Sequence, residues 1–138
     1  MAWHKPSVKP HPGSFRQGAE FVIHAEKGQD RTQTRQCLPD VYWQRVNCSR
    51  KVQPTGKPVP LVKDLLAVCQ PGGMVLDPFL GGGTTALACL ETCRRFTGVE
   101  LSPECAARAA DRIRQAEAAL KQGVKRTRPG RRADWHWK

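Results

Sequence analysis

The segment Met74-Val75-Leu76-Asp77-Pro78-Phe79-Leu80-Gly81-Gly82-Gly83-Thr84-Thr85 passes from a short apolar run to a carboxylate, then to three glycines, then to two hydroxyls opening an Ala/Leu-rich stretch. That order predicts strand, tight turn and helix. Gly81 and Gly83 permit positive φ and let a ligand approach the backbone, while the first N–H groups of the next helix point into the same space. Asp77 belongs to the expected strand, Val75–Phe79, near its carboxyl end, where open α/β sheets bind ligands. One such glycine turn can serve packing alone; the carboxylate, the glycines and the helix start together point to a ligand.

Toward the C-terminus, Gly81-x-Gly83-x-x-Ala86 has the spacing of a dinucleotide fingerprint, and Glu100 ends a second apolar run, Phe96-Thr97-Gly98-Val99. A carboxylate there can accept both hydroxyls of a ribose. Thr84 stands where a phosphate-cradling P-loop needs Lys, so that motif is excluded. A nicotinamide or flavin nucleotide and S-adenosylmethionine both fit the spacing. Asp77 favours the second, since a carboxylate suits an ammonium and a sulfonium and repels a pyrophosphate. Beyond Glu100, Ser102-Pro103-Glu104 is a helix start, and Ala106, Ala109, Ile113, Ala116 and Leu120 give that helix one apolar face.

Toward the N-terminus, Leu61, Val62, Leu65 and Leu66 recur at helical spacing, Pro58 or Pro60 suits the first turn, and Pro71-Gly72-Gly73 ends the segment. Asp77-Pro78-Phe79 with Gly81, Gly83, Thr84 and Thr85, after a Lys-Pro-led helix and before an acid-ended strand, resembles the cofactor motif of the amino-type DNA methyltransferases of restriction-modification systems and phages. These methylate the exocyclic amine of adenine or cytosine. The family's companion motif, H-P-T-x-K-P-x-x-L, is similar to Pro54-Thr55-Gly56-Lys57-Pro58 with Leu61, and Gln53 stands where His is usual. The resemblance covers most of residues 3–120. It implies S-adenosylmethionine held by Asp77, Pro78, Phe79, Gly81, Gly83, Thr84, Thr85 and Glu100, with Lys57 and Pro58 at its methionine end, and DNA as partner.

Composition agrees with a nucleic-acid partner. The chain has 138 residues, 39% hydrophobic and 25% charged, with a net charge of +11. Seven Lys/Arg face one acid in residues 121–138, so more than half of the excess sits in a tail that reads as disordered when alone. No apolar run reaches membrane-spanning length and no secretory signal opens the chain, which predicts a cytoplasmic protein. The six cysteines form no C-x-x-C pair; Cys89 and Cys93, one helical turn apart, read as small core residues, and no zinc is implied.

Residues 1–14, with Pro6, Pro10 and Pro12, predict a loop-like approach. Phe21–Ala25 reads as a buried strand stopped at Gly28, with His24 a core or edge histidine. Phe15-Arg16 with Glu20-Phe21 resembles the family's F-R-x-x-x-E-F segment beside the target-base pocket; Arg16 and Glu20 fit an ion pair or a substrate contact. Residues 29–56 are polar, with one short strand at Asp40–Trp43. Tyr42 and Trp43 suit either packing or stacking on a base.

The family positions the target amine with a P-P-[YFW] loop, and none of these 138 residues forms one. In the permuted subgroup this chain follows, that loop and two or three strands lie upstream of the position of Met1. The expected fold is therefore α/β, a partial Rossmann-like S-adenosylmethionine-dependent methyltransferase fold lacking the strands that carry the catalytic loop. Residues 1–120 form a partial DNA methylase domain, with 3–56 the pocket-flanking strand and short recognition region and 57–120 the cofactor-binding region. Residues 121–138 are the tail. No catalytic residue and no metal ligand is assigned. Without those strands the cofactor strand and the Phe21–Ala25 strand leave a gap or pair directly, and exposed edges favour a companion chain or a homo-oligomer. The alternatives are a non-enzymatic basic nucleic-acid-binding module, a decayed remnant and, with Asp77 against it, a nicotinamide-dependent oxidoreductase.

Overall fold

The computed structural model describes residues 1–6, 12–13, 17–28, 38–44 and 56–123, and is mixed α/β. Strand β1 (Ala2–His4) is the centre of one small sheet, antiparallel to β2 (Ala19–Phe21) and parallel to β3 (Val41–Trp43). Helix α1 (Val59–Leu65), extended by a 3₁₀ turn over Leu66–Val68, leads to β4 (Met74–Asp77), α2 (Thr84–Glu91), β5 (Arg95–Gly98) and α3 (Pro103–Lys121). Strands β4 and β5 pair in parallel, Asp77 opposite Gly98. Among the described residues the two sheets share no ladder, so of the two outcomes expected, a gap or direct pairing, direct pairing is not seen.

Two small cores hold these elements. Trp3, Tyr42 and Leu61 are buried together, with Met1 and Leu65 packed against them, so α1 rests on the first sheet. Ala86, Ala88, Cys89 and Ala109 are fully buried and seal α2 against its neighbours; their small volume lets α2 and α3 approach closely. Lys63 Nζ on Glu91 Oε2 at 2.7 Å ties α1 to α2. The ends that follow the two helices also meet: Gly72 N–H donates to Cys93 O at 2.8 Å, and Arg94 Nε to Cys69 O at 2.8 Å. The helices therefore run side by side in one direction, and their amino ends share the side on which β4 and β5 finish.

Several local expectations hold. Ser102 caps α3, its hydroxyl accepting from Cys105 N–H at 3.4 Å, with Pro103 next and Glu104 in the first turn. Pro58 is the N-cap of α1 and Pro60 lies in its first turn.

Others need correction. Residues 1–14 are not loop throughout, because Ala2–His4 is a strand. The strand expected over Phe21–Ala25 is Ala19–Phe21, because pairing follows the three residues of β1; Phe21 and Ile23 are 84% and 92% exposed. His24 is accordingly exposed, its ring 3.7 Å from Glu26 Oε1, and is neither core nor edge. The cofactor strand stops at Asp77 rather than Phe79, since the Asp77 carboxylate accepts Phe79 N–H at 3.0 Å and turns the chain. The second strand likewise stops at Gly98. Cys93 is exposed at φ 56, past the end of α2, so of that pair Cys89 is the core cysteine.

Candidate functional site

The glycine turn is held from several directions. Gly81 (φ 52) donates its N–H to Glu100 Oε2 at 2.8 Å. Gly83 (φ 76) is the N-cap of α2, donating its N–H to Leu80 O at 2.9 Å and accepting Leu87 N–H at 3.1 Å. Leu80 N–H donates to Val99 O, and Val99 N–H to Asp77 O, at 2.8 and 2.9 Å, stitching the turn to the continuation of β5. A Cβ on Gly83 would lie 3.4 Å from Ala109 Cβ, so α3 packs against the turn from behind. Arg112, also on α3, donates from Nη1 to Gly82 O at 2.6 Å.

Glu100 closes the site from the β5 side. Its Oε1 accepts Ser102 N–H at 3.0 Å while Oε2 holds Gly81. The N–H groups of Ser102 and Gly81 hold its carboxyl below the usual carboxylate range. The backbone of Leu101 also reaches the carboxylate, whose remaining lone pair can still accept a hydroxyl. Asp77 ends β4, two residues before Phe79, whose ring is 88% exposed beside the turn. Gly83 brings no capping side chain, which leaves the orphan N–H groups of Thr84, Thr85 and Ala86 at the start of α2. Asp77, Phe79, Gly81, Gly83, Thr84, Thr85 and Glu100 are thus brought to one edge, with Pro78 in the turn between.

Lys57 and Pro58 stand at the amino end of α1, on that same side. The Lys57 ammonium is engaged by Glu20, Nζ to Oε2 at 2.5 Å, and Lys5 Nζ reaches Glu20 Oε1 at 3.0 Å. Both ammoniums lie over the Trp3 ring, 5.6 and 5.8 Å from its centroid. Burial pushes the Glu20 carboxyl up, but the hydrogen bonds and charges of Lys57 and Lys5 outweigh it and hold the group below its ordinary value. Glu20 is therefore a partner of two lysines; Arg16, the expected partner, lies outside the described residues, as do Phe15 and the stretch Gln53–Thr55. Tyr42 is buried against α1, and burial together with the Asp64 charge raises its hydroxyl above the ordinary value, so it packs and does not stack on a base. Trp43 stays half-exposed, its ring 4.1 Å from that of His4.

Sequence reasoning missed Trp3, Lys5 and Arg112. Three nearby prolines masked the strand that carries the first two, and nothing local marks Arg112 beyond a basic residue on the apolar side of α3. Among the described residues no cluster of His, Cys, Asp or Glu could hold a metal, and no helix is long and apolar enough to cross a membrane.

The sequence model of a family described as DNA methylase matches residues 1–111. A putative methylase of Escherichia coli K12, YubD, is 36% identical over 88 residues, 63% of this chain and 38% of that protein. The type II methyltransferase M.SmaI of Serratia marcescens is 51% identical over 49 residues, 36% of this chain and 17% of that protein. Among solved structures, M1.HpyAVI in complex with SAM superposes with a TM-score of 0.61 at 23% identity, over 82% of this chain and 60% of that one. The shared fold is the methyltransferase α/β fold, and this chain spans only part of each relative's length.

Proposed function

The chain belongs to the DNA methylase family, of the amino type, and on that premise we propose that it is the cofactor-binding half of a DNA amine methyltransferase, inactive alone. The observation that carries the reading is the Gly81–Glu100 lock at 2.8 Å, which fixes an acceptor for hydroxyls beside a turn open to close approach. S-Adenosylmethionine fits what stands there. Glu100 takes the ribose, the exposed Phe79 ring faces the adenine, Asp77 faces the cationic end, and the N–H groups of Thr84 and Thr85 lie alongside. Lys57 and Pro58, at the amino end of α1, take the methionine end.

The bound cofactor supplies a methyl group on a sulfonium. This chain's residues hold and orient; rate comes from alignment of amine, methyl and sulfur in the transition state, which needs a target base fixed in place. No P-P-[YFW] loop occurs in the sequence to hold a flipped adenine or cytosine, and a second copy would lack it too, so a companion chain that carries the catalytic half completes the site. DNA is the substrate, in a restriction-modification or phage setting and in the cytoplasm. A second reading, a non-enzymatic nucleic-acid-binding module, is favoured by one observation, the net charge of +11, more than half of which lies in residues 121–138.

Calorimetric titration with S-adenosylhomocysteine separates the two, heat of binding at the turn being expected only for the first. Tritiated-methyl transfer to mixed-sequence DNA should be absent for the chain alone. Robust transfer by the lone chain, abolished by Asp77→Ala, would show that the catalytic group is already present and the half-enzyme reading wrong.

A further inference from the structure

We propose that Arg112 is a positioning residue for the glycine turn, its guanidinium holding Gly82 O so that the Gly82–Gly83 peptide keeps one orientation. The inference rests on the cofactor site above but concerns a residue that takes no direct part in it.

The Gly82–Gly83 peptide is flanked by glycine on both sides, so neither side chain opposes its rotation. Its two polar groups are restrained differently. Gly83 N–H donates to Leu80 O at 2.9 Å within the turn itself, whereas Gly82 O is held from outside, by Arg112 Nη1 at 2.6 Å. Removing the guanidinium leaves a half-buried carbonyl without its charged donor, and a peptide flip then becomes the route back to water. That flip would swing Gly83 N–H off Leu80 O. It would also change the backbone of the N-cap of α2, on which the direction of the Thr84, Thr85 and Ala86 N–H groups depends.

The neighbours of Arg112 on α3 are committed otherwise. Arg114 pairs with Asp111, and Arg108 with Glu104. Arg112 alone among these points inward, where burial draws its guanidinium below the ordinary value and Gly82 O accepts its Nη1 hydrogen at 2.6 Å. Ala109 and Ile113, which lie beside Gly83, place the same face of α3 against the turn.

The test compares the full chain with Arg112→Met, which keeps the aliphatic stem, and Arg112→Lys, which keeps a charged donor. Three readouts are taken: the Gly83 amide nitrogen resonance, calorimetric affinity for S-adenosylhomocysteine, and the thermal midpoint. In Arg112→Met the Gly83 resonance should move or broaden, and affinity should fall about ten-fold, the scale of one charge-assisted hydrogen bond, with the chain still folded. Arg112→Lys should return both toward the parent. A Gly83 resonance unmoved in Arg112→Met overturns the proposal, as does a lysine variant no better than methionine. If the parent binds no S-adenosylhomocysteine, the functional reading fails and the amide resonance alone decides the role of Arg112.

Discussion

Gly83→Ala is the substitution whose cost the structure sets most directly, and Gly72→Ala is its control. Both glycines adopt nearly the same backbone, φ 76 and φ 77. A side chain in that left-handed region costs about 1–2 kcal/mol, offset by about 0.4–1 kcal/mol because alanine narrows the unfolded ensemble. Nothing lies within 4 Å of a Cβ at Gly72, so its net loss is about 1 kcal/mol. At Gly83 the added carbon meets Ala109 Cβ at 3.4 Å and Ile113 Cδ1 at 3.5 Å, both on the helix that backs the turn. These are ordinary van der Waals distances, so the contact adds no crowding cost and the shared left-handed φ sets the loss at both positions. The two variants should therefore fall by about the same amount, about 1 kcal/mol or roughly 0.5 M in urea midpoint at an m of about 2 kcal/mol/M. Urea unfolding followed by circular dichroism measures this, with m required to stay constant. A Gly83→Ala midpoint well below that of Gly72→Ala would show instead that the added carbon is crowded against α3. S-Adenosylhomocysteine affinity should drop in Gly83→Ala and stay at the parent value in Gly72→Ala.

Glu100→Ala should weaken S-adenosylhomocysteine binding about ten-fold or more at pH 7; calorimetry giving the parent affinity would remove Glu100 from the ribose. The Glu20 carboxyl is held low in the folded chain by Lys57 and Lys5, so its contribution is complete above about pH 4.3 and is lost as pH falls through the folded value. With 38% of that side chain exposed, the stability gap between parent and Glu20→Gln should be under about 1 kcal/mol at pH 7 and smaller at pH 3. A gap of the same size at both pH values, in urea midpoints, would mean that charge is not what Glu20 contributes. Removing residues 121–138 should flatten the dependence of log DNA affinity on log salt, by about 0.9 for each phosphate that the tail neutralises; an unchanged slope places the DNA-binding surface nearer Arg31, Arg35 and Arg45.

The region from Lys57 to Lys121 was legible because its signals are local. Pro58 and Ser102 mark helix starts by chemistry within four residues, and the glycines announce their own backbone. Glu100 was found by spacing, since a strand, a turn and a helix of ordinary length return the chain to the same edge. The N-terminal sheet was not legible: β1 is three residues long, and only its pairing to positions seventeen and thirty-nine residues away makes it a strand. Trp3 as a core residue follows from that pairing and from nothing in its neighbourhood. Arg112 was hidden for a similar reason, because its acceptor is a backbone carbonyl thirty residues earlier that has no sequence signature.

Among the described residues, the groups that shape the glycine turn come from a single contiguous run, Asp77 to Ile113: the carboxylates of Asp77 and Glu100, the backbone of Val99, the side chains of Ala109, Arg112 and Ile113. None of them lies upstream of β4. Such a unit is portable. A recombination or fission event that kept residues 77–113 together would carry these contacts to the turn in one piece.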